Sequence, residues 1–220
     1  MHNRRFKKFS ILLLIFFVGI MSVYALDKNL METRMLQGYG ASGAERLHHW
    51  QLLINDIKNK TDQEKIIQVN QFLNTKIHFQ DDRILWKNID YWATPLETLG
   101  KGAGDCEDYT IAKYFSLLHA GVAVERLRFI YVKAQIGDAN SNLFQAHMVL
   151  GYYETDDSIP YILDNLVSNV ELASRRPDLK PVFSFNSGGI WVGNQQSKAD
   201  PTARLSRWRD LLQRTQADGF

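Results

Sequence analysis

Hydrophobic spacing turns from helical to strand-like near Gly121, and that change constrains the fold more than any other feature. Before it, apolar residues recur at helical intervals. Leu47, Trp50, Leu53, Ile54 and Ile57 share one face of a helix expected over 44–57. Thr61-Asp62-Gln63-Glu64 has the capping-box pattern, a hydroxyl and a carboxyl satisfying free amides reciprocally, and opens a helix carrying Ile66, Ile67, Val69, Phe72, Leu73 and Ile77. Residues 27–44 are mixed and hold three glycines, and 79–104 is loop-rich and aromatic, with a single helical turn at Pro95–Leu99. A third long helix runs from about Asp105 to His119 and stops at Gly121. After it the pattern is strand-like: 126–134, 146–153 and 161–163, with a turn at Thr155–Ser158, then shorter strands at 183–185 and 190–192. Asp200 and Pro201 suit the cap and first position of a last helix with Leu205, Trp208 and Leu212 on its apolar side. Helices first and an antiparallel sheet second make an α+β protein.

The first 25 residues stand apart from this pattern. Arg4, Arg5, Lys7 and Lys8 precede an apolar run from Ile11 to Ile20, and Val23-Tyr24-Ala25 offers small residues where a signal peptidase reads. The run is shorter than the ~20 residues of a spanning helix, so a cleaved signal peptide over 1–25 and a mature domain over 26–220 are expected. Cleavage moves the formal net charge from +2 to −2, because the leader carries four basic residues and no acidic one. The basic balance therefore gives no support for a nucleic-acid partner, and no later stretch is apolar enough for membrane insertion.

Such an exported chain has one cysteine, Cys106, and so no internal disulfide. It opens the third helix directly after Gly102-Ala103-Gly104 and lies among acids, Asp105-Cys106-Glu107-Asp108, which argues against a simple buried hydrophobe. A helix N-terminus or an adjacent imidazolium lowers a thiol pKa, whereas three flanking carboxylates oppose thiolate formation. Those acids have two readings: ordinary placement at a helix start, or ligands for a hard cation such as calcium. His147 lies within a predicted strand and Asp164 ends the next, so a hairpin between them sets the two side by side. His2, His48, His49, His78 and His119 have no such partner acid. Cys106 as nucleophile, His147 as base and Asp164 as the group orienting the imidazole form the pattern of a thiol triad. The Cys106 amide is a candidate oxyanion donor, with an indole from Trp86 or Trp92 as the second.

The run Asp90-Tyr91-Trp92-Ala93-Thr94-Pro95, then Gly102-Ala103-Gly104-Asp105-Cys106-Glu107-Asp108-Tyr109, resembles the LapG-type bacterial transglutaminase-like cysteine proteases. Ala146-His147-Met148-Val149-Leu150 and Leu163-Asp164-Asn165 resemble that family's histidine and aspartate segments, and the likeness spans about 44–192. The resemblance implies a papain-like, transglutaminase-type core and a periplasmic, calcium-dependent endopeptidase with Cys106, His147 and Asp164 as its triad. It assigns calcium to Asp105, Glu107 and Asp108, with Asp82 a further ligand. The implied substrate is the N-terminal region of a large surface adhesin, whose release from the outer membrane promotes biofilm dispersal. The implied regulator is an inner-membrane cyclic di-GMP receptor that holds the protease through its periplasmic domain. Two other classes fit the same residues: an acyltransferase or amidase that passes the acyl group to an amine, and a calcium-dependent binding module with a vestigial triad.

Overall fold

Asp27 starts the first helix among the described residues, its carboxylate accepting from the Leu30 amide at 3.0 Å. The computed structural model describes residues 26–220 except 139, 194, 198 and 199, so the leader expected over 1–25 lies outside the described residues. Helix α1 (Lys28–Ile57) begins well before the helix read from the sequence. It is interrupted at Gly40, whose φ of 65° and ψ of −161° suit glycine alone, and this break hides the continuity of the apolar face. The Thr61/Glu64 capping box forms as expected and opens α2 (Asp62–Lys76). Strand β1 (His78–Phe79) and the short α3 (Asp82–Leu85) follow. A second capping box, Thr94 with Glu97, and Pro95 at the first helical position extend the expected single turn into α4 (Pro95–Lys101). Strand β2 (Ala103–Gly104) pairs in parallel with β1 and leads into α5 (Cys106–His119).

The remaining strands form a seven-stranded antiparallel sheet. They are β3 (Leu127–Ile136), β4 (Leu143–Tyr152), β5 (Tyr161–Leu163), β6 (Glu171–Leu172), β7 (Leu179–Asn186), β8 (Gly189–Val192) and β9 (Gln195–Ser197). Their order is β6-β5-β4-β3-β7-β8-β9. The centre is the long β3/β4 hairpin, in register from Leu127↔Tyr152 to Ile136↔Leu143. The α+β class read from the change of period is therefore the architecture of the protein. No helix among the described residues is long and apolar enough to cross a membrane.

The core lies where α5 sits between the other helices and the sheet. Trp50 of α1 donates its indole N–H to Ser116 Oγ of α5 at 2.7 Å, and the Tyr109 hydroxyl of α5 donates to the Ile77 carbonyl. The last helix is divided. Asp200 caps α6 (Pro201–Arg204), Leu205 leaves helical geometry at φ −107° and ψ 94°, and α7 (Ser206–Ala217) follows. Trp208 of α7 is fully buried, against Tyr114 and Phe115 of α5, Phe129 of β3 and Phe185 of β7. A Trp208→Ala protein is expected to lose about 3–5 kcal/mol of stability, measured by urea unfolding. An unchanged midpoint would mean that α7 is not part of the cooperative core.

Candidate active site

The approach to Cys106 is fixed by backbone before any side chain acts. Helix α4 ends at Gly102 in the left-handed region, φ 66°. Gly104 is then held against Phe79 in the β1/β2 pair. A Cβ on Gly104 would stand 2.7 Å from Asp108 Cβ and 2.8 Å from its Oδ2, so glycine is what lets the strand approach the first turn of α5. Asp105 occupies the N-cap of α5, yet its side chain makes no capping hydrogen bond. Cys106 is the first residue of the helix and half-buried, and its Sγ donates to Glu107 Oε2 at 2.7 Å.

Thr110, one turn on, ties this start to the sheet. Its Oγ1 lies 2.8 Å from the Cys106 carbonyl and 3.1 Å from the Met148 carbonyl of β4. The nucleophile candidate is thus packed against the residue next to His147. The β4/β5 register, Leu150↔Leu163, carries Asp164 alongside the His147 end of β4. There His147 Nε2 meets Asp164 Oδ1 at 2.8 Å, and both residues are buried. Arg176, itself buried, donates from Nη2 to Asp164 Oδ2 at 2.8 Å, and the Leu166 amide donates to Oδ1 at 3.0 Å. Burial alone would raise the Asp164 carboxyl. The His147 contact, the Leu166 amide and the Arg176 guanidinium outweigh it and hold the group well below the usual carboxylate range. Lys113 is wholly buried in α5. Burial pushes its ammonium down to about 7, against the pull of the Asp164 charge. Arg176 and Lys113 had no signal in the sequence, because no hairpin register or helical spacing marks either as a partner of Asp164.

A second constellation lies beside the thiol. Ligand atoms of Asp82, Asp105 and Asp108 all lie within 4.8 Å of one another. The Tyr91 amide donates to Asp82 Oδ2 at 2.5 Å and the Ala93 amide to Asp108 Oδ1 at 2.8 Å. The other oxygens, Asp82 Oδ1 and Asp108 Oδ2, and Asp105 Oδ1 are buried with no hydrogen-bond partner. Burial, then the neighbouring charges, pushes Asp105 up to about 9. Burial also pushes Asp108 up to about 8, with the Ala93 amide opposing and Asp82 adding to the rise. Buried, unpartnered and mutually repelling carboxylate oxygens are the donor set of a hard cation, so these residues fit calcium. The run around Cys106 drew attention to Asp105, Glu107 and Asp108, and the family resemblance added Asp82. The structure sets Asp82 with Asp105 and Asp108 as the third corner, while Glu107 has its carboxylate on the thiol. Burial first, then the charge and hydrogen bond of Glu107, drives the Cys106 thiol well above its ordinary value, with the Met148 amide opposing. Both indole N–H groups considered as oxyanion donors, Trp86 and Trp92, are buried without a partner.

The model of the bacterial transglutaminase-like cysteine proteinases matches residues 51–178. This chain belongs to that family. Among solved structures it is similar to Legionella pneumophila LapG, with 36% identity over 87% of this chain and 99% of the other, at a TM-score of 0.73. An EGTA-treated form of LapG matches at 36% identity with the same coverage and a TM-score of 0.74. A calcium-bound form matches at 38% identity over 83% of this chain and 96% of the other, at 0.70. No curated protein matches the chain. In this proteinase family member, the matched segment contains the thiol, the His147–Asp164 pair and the three clustered aspartates.

Proposed function

We propose that this chain is a calcium-dependent cysteine endopeptidase of the periplasm. In this reading it cuts the N-terminal region of a large surface adhesin and so frees it from the outer membrane. One observation carries the reading: the lone thiol opens a helix that Thr110 ties to the strand bearing a buried His147–Asp164 pair, in a chain of the cysteine proteinase family. Cys106 is the nucleophile. With its Nε2–H donated to Asp164, the His147 ring has Nδ1 as the nitrogen for the thiol proton. Cys106 Sγ attacks the scissile carbonyl carbon, and the leaving amine takes the proton from His147. Water then hydrolyses the thioester, giving its proton back through the same ring. The Arg176 contact keeps Asp164 ionised and fixed, so the imidazolium formed during attack stays stabilised. The first amides of α5, with no intrahelical partners, are the oxyanion donors.

Asp82, Asp105 and Asp108 are the calcium ligands in this reading, and the bound ion supplies positive charge that offsets the acids flanking the thiol. Biofilm dispersal follows from adhesin release, and control is by sequestration on the periplasmic domain of an inner-membrane cyclic di-GMP receptor. Both parts rest on the likeness to LapG-type proteases.

The test is incubation of the purified mature chain with an adhesin N-terminal fragment and a labelled amine, with calcium or with chelator, followed by mass analysis. Two fragments that appear only with calcium, and no amine adduct, are expected. An amine-linked product would assign the chain to acyl transfer. An intact substrate under every condition would leave a binding module.

A further inference from the structure

The helix α7 lies outside the matched family segment, yet its Arg214 reaches the segment that carries the aspartate cluster. Arg214 Nη2 donates to the Trp92 carbonyl at 2.6 Å. Its Nη1 donates to Glu97 Oε2 at 2.9 Å and to the Tyr91 hydroxyl oxygen at 3.0 Å. The guanidinium also lies 4.8 Å from the centre of the Tyr91 ring, and Asp210 holds its Nε at 2.8 Å. The Tyr91 hydroxyl in turn donates to Glu97 Oε1 at 2.8 Å, and Glu97 is the residue that closes the α4 capping box. Just past α7, Asp218 accepts from Thr94 Oγ1 at 2.6 Å.

The backbone around Trp92 meets the aspartates with two amides. Tyr91 N–H holds one oxygen of Asp82 and Ala93 N–H holds one oxygen of Asp108, and in each carboxylate the other oxygen is the unpartnered one. Trp92, between them, contributes the carbonyl that Arg214 holds. The backbone of 91–93 is therefore gripped from one side by α7 and grips the two carboxylates on the other.

Resting on the calcium reading above, we propose that Arg214 is a positioning residue for the metal site: it fixes the 91–93 backbone, and that backbone aims the free oxygens of Asp82 and Asp108. Groups that orient ligands in this way typically change metal affinity about 10–100-fold when removed. A lysine can satisfy one acceptor but lacks the planar fork that spans Trp92, Glu97 and Tyr91 at once. Coupling is reciprocal, so calcium also tightens α7 on the body of the protein.

Calcium titration by calorimetry on the mature chain tests this, with wild type, Arg214→Met, Arg214→Lys and the comparator Arg126→Met, which removes an exposed ion pair with Asp62. Arg214→Met is expected to bind about 10–100-fold more weakly, Arg214→Lys to fall between it and wild type, and Arg126→Met to match wild type. A brace with no role at the metal would lower the melting temperature equally in calcium and in chelator. Positioning shrinks the calcium-induced increase itself. Hydrogen exchange on the wild type is independent of any variant's folding: calcium is expected to slow exchange across 206–217, and unchanged exchange there overturns the proposal. Wild type that binds calcium beside an Arg214→Met protein of equal affinity removes this inference alone. Wild type that binds none removes the calcium reading as well.

Discussion

Replacing Cys106 with alanine is expected to reduce peptide cleavage by a factor on the order of 10^4 to 10^6 while leaving calcium affinity and melting temperature within the range of surface substitutions. The size follows from the chemistry. In the proposed mechanism the sulfur is the atom that forms the acyl bond, and the chain has no other cysteine to substitute for it. The small effect on stability follows from position, since Cys106 is half-buried at the edge of the core and its side chain is small, with Glu107 and the Met148 amide as its polar neighbours. Single-turnover mass analysis of wild type adds a second measurement: a thioester on Cys106 is expected with a slow ester substrate. Cleavage that survives in the alanine protein would show that the nucleophile lies elsewhere, and the mechanism would then fail at its first step.

Removing calcium is expected to abolish cleavage and to destabilise the fold in a pH-dependent way. A ligand that binds only the folded state at about 100 times its Kd contributes about 2.7 kcal/mol, which is about 5–10 °C in melting temperature for a domain of this size. The sign of the pH effect comes from the aspartates. Without metal, burial first and neighbouring charges next push Asp105 up to about 9, and burial pushes Asp108 up to about 8. In the unfolded chain both have the ordinary value of 3.8. The folded state thus binds these protons more tightly than the unfolded chain. The metal-free protein has their full contribution below the unfolded value and loses it as pH rises through about 8 to about 9. Calcium requires the ionised carboxylates, so its binding releases protons and strengthens with pH. Melting curves in chelator should fall from about pH 5 to about pH 9, curves in saturating calcium should not, and the gap should widen with pH. A gap that is constant or absent would show that the aspartate cluster is not the calcium site.

The parts of the fold that the sequence made legible are those governed by neighbours a few residues apart. The Thr61/Glu64 box, the start of α5 after Asp105, the stop near Gly121 and the Asp200-Pro201 start of α6 are local hydrogen-bonding and dihedral constraints, and all four are present. Strand β5 has the bounds read from its apolar run, Tyr161–Leu163. The same locality explains what was misread. Three glycines made 27–44 look irregular, but only Gly40 leaves helical geometry there and the helix resumes beyond it. The last helix looked continuous, because nothing local in Leu205 announces that its backbone turns extended between α6 and α7.

The α+β order, the single thiol at a helix start and the pairing of His147 with Asp164 are legible from residues alone, because each is set by spacing within one element or one hairpin. Packing between elements is what sets Asp82 beside Asp105 and Asp108 while leaving Glu107 on the thiol, puts Arg176 on the far oxygen of Asp164, and brings Arg214 onto the 91–93 backbone. These contacts cross between elements that no shared helix or hairpin brings together. A carboxylate or guanidinium reads the same in sequence whether it faces water or a buried partner, and the difference arises when packing removes the water and leaves a named atom in its place.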